Sequence, residues 1–210
     1  MSRPVPSRRV AHDSRWRTDL PTLVRLLVGL WVFGTGEALL VAARVGNSPW
    51  TVLAEGVAIN TPLTVGTSTI VISAGVMCFW IPLKERPGLG TILNAIVVGI
   101  AIDAMLPLLP APEVLGWQVL QSALGAVVVG VGSGIYLSAR LGPGPRDGLM
   151  TGLHRRAGWP LFAIRLGLEL SVLVAGWLLG GVAGIGTVIF ALTIGPAVAT
   201  AVRVFGKPRR

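Results

Sequence analysis

The sequence predicts an all-α membrane protein: six transmembrane helices as two inverted three-helix repeats, with short re-entrant or interfacial helices between them. Three observations predict it. Apolar residues make up 52% of the chain and charged residues only 13%, about half of what a soluble surface needs. The apolar residues gather into six runs of about twenty, the length that crosses a hydrocarbon core. Two multi-residue motifs also recur at one shared offset of 96 positions, as a duplicated unit leaves them.

Residues 1–19 read as a basic, disordered cytoplasmic tail. Ser7-Arg8-Arg9-Val10 opens like a twin-arginine signal, but Ala11-His12-Asp13 follows where apolar residues are expected. The first apolar run, 22–43, is too long for a signal-peptide core and leads into Arg44 rather than a small-residue cleavage site, so it reads as a retained helix. The further runs are 63–83, 89–109, 116–139, 161–179 and 185–204. Glycines inside them, such as Gly130, Gly132 and Gly134, would weaken a helix in water but let neighbours approach closely in lipid. The first unit then covers residues 20–109 and the second, inverted unit 110–205, with a basic cytoplasmic tail at 206–210.

Charge sets the orientation. The 18 Lys+Arg against 9 Asp+Glu give a net +9, which on a soluble chain would suggest nucleic acid. Here the positives fall in the two tails, in Lys84-Glu85-Arg86 and across residues 140–156, while the alternate loops hold Arg44 alone or none. That alternation is positive-inside patterning, with both termini cytoplasmic, and it argues against nucleic acid. Trp50, Trp117, Trp159 and Trp177 fall near the ends of runs. The lone Cys78, and His12 and His154 without ligand-spaced partners, offer no disulfide framework and no metal site.

The repeat is explicit. Ala43-Arg44-Val45-Gly46-Asn47-Ser48-Pro49 matches Ala139-Arg140-Leu141-Gly142-Pro143-Gly144-Pro145, both reading A-R-x-G-x-x-P. Gly88-Leu89-Gly90-Thr91-Ile92 matches Gly184-Ile185-Gly186-Thr187-Val188 at the same 96-residue offset. A unit of three spans is odd, so its second copy must enter the membrane in the opposite sense, as in many secondary transporters.

The paired A-R-x-G-x-x-P segments, with Trp50 to Gly56 and Arg146-Asp147-Gly148-Leu149 after them, resemble the YczE family of bacterial membrane proteins. Pro87-Gly88-Leu89-Gly90-Thr91-Ile92-Leu93-Asn94 and Asp103 add to that likeness, which covers residues 20–205. The resemblance implies a multi-pass plasma-membrane protein, distantly similar to YitT-type proteins. It supplies no substrate and no catalytic residues.

Two groups of residues carry candidate chemistry. In the first, Pro49 and Pro145 each open a short helix, spanning roughly 50–59 and 147–153. A half-helix N-terminus beside Arg44 or Arg140 makes an anion site, and Asn94 is the cavity candidate among the uncharged polar residues. The plainer reading is that each arginine snorkels at a helix end and each proline stops a helix. In the second, Glu37, Asp103 and Glu169 lie inside apolar runs, where an ionised group is costly and commonly functional. One of them would couple protons, with Arg165 as a substrate or gating contact. Equally, Arg165 and Glu169, spaced i,i+4, would neutralise each other, and Glu37 or Asp103 would stay wet near an interface. The run Thr64, Thr67, Ser68, Thr69 and Ser73 reads mainly as hydroxyls bonded back to their own helix.

The expected function is a small secondary transporter or permease for a small, anionic solute. Its rival is a non-transporting scaffold or regulatory partner of another membrane protein. No Walker loop, zinc-protease, nucleophile-elbow or dinucleotide motif is present, so neither an enzyme nor a cofactor is expected. The lipid bilayer is the one certain partner, and a homodimer is a reasonable way to thicken the wall around a cavity built from two three-helix units.

Overall fold

The computed structural model describes residues 15–206, and every regular element among them is helical. Six helices are long and apolar enough to cross a membrane: Leu20–Ala43, Val65–Leu83, Leu89–Leu108, Leu115–Ser138, Leu161–Leu178 and Ile185–Phe205. The first is α1. The second is α3 (Val65–Cys78), continued beyond Phe79 by the single turn α4 (Trp80–Leu83). The third is α5 (Leu89–Met105), closed by a 3-10 turn. The others are α6, α8 and α9. Between spans lie two shorter helices, α2 (Pro49–Asn60) and α7 (Pro145–Ala157), each a little longer than its sequence suggests. Of the basic tails expected at 1–19 and 206–210, residues 1–14 and 207–210 lie outside the described part.

The A-R-x-G-x-x-P motif takes closely similar backbone angles in both copies. Arg44 and Arg140 take left-handed backbone angles (φ 58° and 55°), which end α1 and α6. Gly46 and Gly142 follow at φ 120° and 122°, a region that a side chain rarely tolerates. Pro49 and Pro145 then start α2 and α7 at the first helical position, where the missing N–H costs nothing. The motif is a stop, a reversal and a start.

Helices α1 and α6 form the centre and run antiparallel. Gly29 meets Tyr136, Phe33 meets Gly132, Gly36 meets Val129, and Leu40 meets Gly125. Helix α5 packs on the α1 side through Leu26, Leu30, Val98 and Ile102. Helix α9 packs on the α6 side, where Ala197 and Ala201 sit against Gly130 and Gly134. The short helices cross over: α2 lies on α8 through Gly56 and Gly176, and α7 lies on α4, with Gly148 against the Trp80 ring. Loop contacts are exchanged in the same way. Gly90 N donates to Leu141 O at 2.9 Å, and Gly186 N, 96 positions on, donates to Val45 O at 2.8 Å.

The basic turns lie together at one end. Arg155 pairs with Glu85, Arg156 donates to Pro82 O, and Arg15 donates to Arg86 O. Large apolar side chains cover the outside; Phe162 and Leu178 are each 75% exposed. A monomer in water rarely shows so much apolar surface, whereas lipid demands it.

One difference separates the halves. Helix α3 packs closely along α5, with Gly66 against Gly99 and Asp103. Helix α8 makes no comparable contact with α9. Gly195, the counterpart of Gly99, has nothing within 4 Å of where a Cβ would stand.

Candidate functional site

A cavity of about 320 Å³ lies where the N-termini of α2 and α7 converge. Pro49 and Trp50 reach it from α2, and Gly144, Arg146 and Asp147 from α7. Trp50 and Arg146 are 96 positions apart, and they touch: the guanidinium carbon stands 5.1 Å from the Trp50 ring centroid, a cation–π distance. Two positive helix ends therefore face one space, with a full positive charge between them.

Among the described residues, no carboxylate lies within 4.0 Å of the Arg146 guanidinium, and no hydrogen bond engages it. The acids around it are held by other groups. Glu37, 1% exposed, accepts from Ser48 Oγ and Thr51 Oγ1, each at 2.8 Å. Asp147 accepts from the Tyr136 hydroxyl at 3.0 Å. Glu37, Asp147 and Glu169 all attract the guanidinium from beyond contact. The buried indole N–H of Trp50 also finds no acceptor among the described residues. Donors without acceptors, next to helix N-termini, have the chemistry that suits an anion.

The structure brings Glu37, Pro49, Asn94, Arg165 and Glu169 onto this one cavity. Arg165 Nε donates to Glu169 Oε1 at 2.9 Å, and both side chains remain partly exposed. Thr69 and Ser73 line the cavity as well, whereas Thr64 and Thr67 cap α3.

Other residues singled out in the sequence lie elsewhere. Arg44 and Arg140 are exposed at the left-handed ends of α1 and α6, and neither lines the cavity. The arginine at the half-helix start is Arg146 instead. Pro145 is buried, and its carbonyl accepts from Trp80 Nε1 at 3.0 Å. Asp103 accepts from Thr64 Oγ1 and, at 2.8 Å, from Gly66 N; it holds the first turn of α3 against α5. Asp103→Ala, which removes both acceptors, is therefore expected to cost about 1 kcal/mol, as loss of a helix cap does. Thermal unfolding of the purified variant measures that, and solute handling should stay unchanged.

The family model described as a family of unknown function (DUF6198) matches residues 20–203. The chain belongs to this family. An uncharacterised protein of Haemophilus influenzae is 41% identical over 196 residues, 93% of this chain and 90% of its own length. YczE of Bacillus subtilis, described as an uncharacterised membrane protein, is 35% identical over 182 residues, 86% of this chain and 82% of its own. YyaS of the same organism is 26% identical over 166 residues, covering 77% and 83%. No solved structure matches. The family is thus YczE-like, as the motifs imply, and the chain is a multi-pass membrane protein.

Sequence reasoning missed Arg146, Asp147, Tyr136 and Trp50 as site residues in this family member. One signal was available. The 96-residue register aligns Trp50 with Arg146 and Thr51 with Asp147, so the two positions after the proline are charged in one copy only.

Proposed function

We propose that this protein is a secondary permease that carries a small organic anion together with a proton. Arg146 carries the reading. Stacked on Trp50 but without an ion pair or hydrogen bond among the described residues, its guanidinium lines a central cavity at the meeting point of two half-helix N-termini. Broken helices that aim their N-termini at an anionic group near the bilayer midplane are how many secondary transporters bind.

The proton follows from charge. Arg146 and Arg165 face Glu37, Asp147 and Glu169, so the ionised cavity already holds one negative charge in excess. An arriving anion adds another in a low-dielectric space. Uptake of one proton restores the balance, and Glu37 is the acid best enclosed to hold it, released by the Ser48 and Thr51 hydroxyls.

The two halves are read as an inverted pair. The starts of α2 and α7, α3 and α8, and α5 and α9 keep the 96-residue register, α1 and α6 run antiparallel, and the loop contacts are reciprocal. The basic end is the cytoplasmic end, carrying both termini. Exchange of the α3–α5 and α8–α9 arrangements between halves would open the cavity alternately.

Alkanesulfonates test this, because they stay ionised and do not leak through lipid as acids. Proteoliposomes should accumulate ethanesulfonate several-fold faster under an inward proton gradient than without one. Glu37→Gln should abolish that stimulation while gradient-free exchange continues. Equal uptake by protein-free vesicles would refute transport and leave the scaffold reading.

A further inference from the structure

The cavity is not enclosed on all sides by protein. Helix α8 stands off α9, and the opening lies at Gly195, the midpoint of a 21-residue span. At that depth the surroundings are hydrocarbon. The flanking side chains agree: Leu192 is 74% exposed, Leu170 50% and Leu166 45%. The wall that α9 gives the cavity is apolar and includes Phe190, Ile194 and Val198. The partly exposed Arg165–Glu169 pair sits on the α8 side. Charges at a lipid-facing cleft are costly unless polar matter covers them.

We infer that the ligand of this site is an amphiphilic anion, a single negatively charged head group on an alkyl tail, which enters sideways from the bilayer between α8 and α9. The head group reaches Arg146, and the tail lies along Phe190, Ile194 and Val198 and out past Gly195. A fully water-soluble ion would use none of that apolar wall. The cavity, about 320 Å³, lies within the range of roughly 300–1,000 Å³ in which small organic ligands bind. This inference rests on the anion site proposed above and specifies its ligand.

The test is a chain-length series, ethane- to octanesulfonate, titrated calorimetrically into the protein in nanodiscs, with protein-free nanodiscs subtracted. Affinity should rise about three- to four-fold per methylene while the α9 wall is being covered. Gly195→Trp fills the cleft without meeting a neighbour at its Cβ, and should collapse the octane-to-ethane ratio toward one. A flat series whose binding still depends on Arg146 overturns lateral amphiphile entry and leaves the anion site standing. A steep series that Gly195→Trp does not alter overturns the assigned route. No Arg146-dependent binding of any member overturns both.

Discussion

Arg146→Gln is expected to weaken anion binding and uptake ten- to a hundred-fold while the protein remains folded. A charge-assisted hydrogen bond contributes about 1.5–3 kcal/mol, and Gln keeps the size of the side chain but not the charge. The fold should survive, because among the described residues no ion pair or hydrogen bond is lost with the guanidinium. Arg146→Lys should fall between native and Gln. It keeps the charge but loses the planar fork and its stacking on Trp50. Arg44→Gln and Arg140→Gln, exposed and away from the cavity, should behave as native. Sulfonate uptake at saturating and limiting concentrations separates affinity from turnover. Native uptake in Arg146→Gln would remove the basis for the anion site.

Gly132→Leu should have the largest effect on assembly. A Cβ there would stand 2.4 Å from Phe33 N and 2.7 Å from Phe33 Cα, against backbone that cannot turn aside. Overpacking a core usually costs about 1–3 kcal/mol; separating two central helices forfeits their whole contact face and exceeds that. The variant should yield little monodisperse protein in detergent, and what remains should unfold at markedly lower temperature. The same change at Gly167 on α8, where a Cβ meets nothing within 4 Å, should be tolerated, since leucine is the better helix former. A well-folded Gly132→Leu protein would mean that α1 and α6 do not cross as closely as described.

The sequence made the spans legible to within about two residues, because lipid leaves composition little freedom. The A-R-x-G-x-x-P motif was legible too, since the left-handed angles at Gly46 and Gly142 demand glycine and leave a spacing that can be read. The site was only half legible. Arg44 and Arg140 stood out because the motif repeats them. Arg146 stood out less, because Trp50, Glu37 and Tyr136 meet it only after the chain has folded back across both halves. Asp103 shows the converse difficulty. A carboxylate in an apolar run looks the same whether it traps a proton or caps a neighbouring helix, and its contact with Gly66 lies 37 residues away in the chain. The α8–α9 cleft had no signature at all: Gly99 and Gly195 occupy matched positions, and only packing distinguishes them.

The crossed loop contacts bear on how the molecule is made. The amide of Gly90 has no acceptor until Leu141 has been synthesised, and the carbonyl of Val45 waits longer still, for Gly186. Ribosomal order thus leaves the last contacts between the two halves unmade until α9 has emerged, although α1, α3 and α5 can already pack on one another. A truncated product lacking α9 would be threaded but unfinished, its earliest turn still open to quality-control proteases.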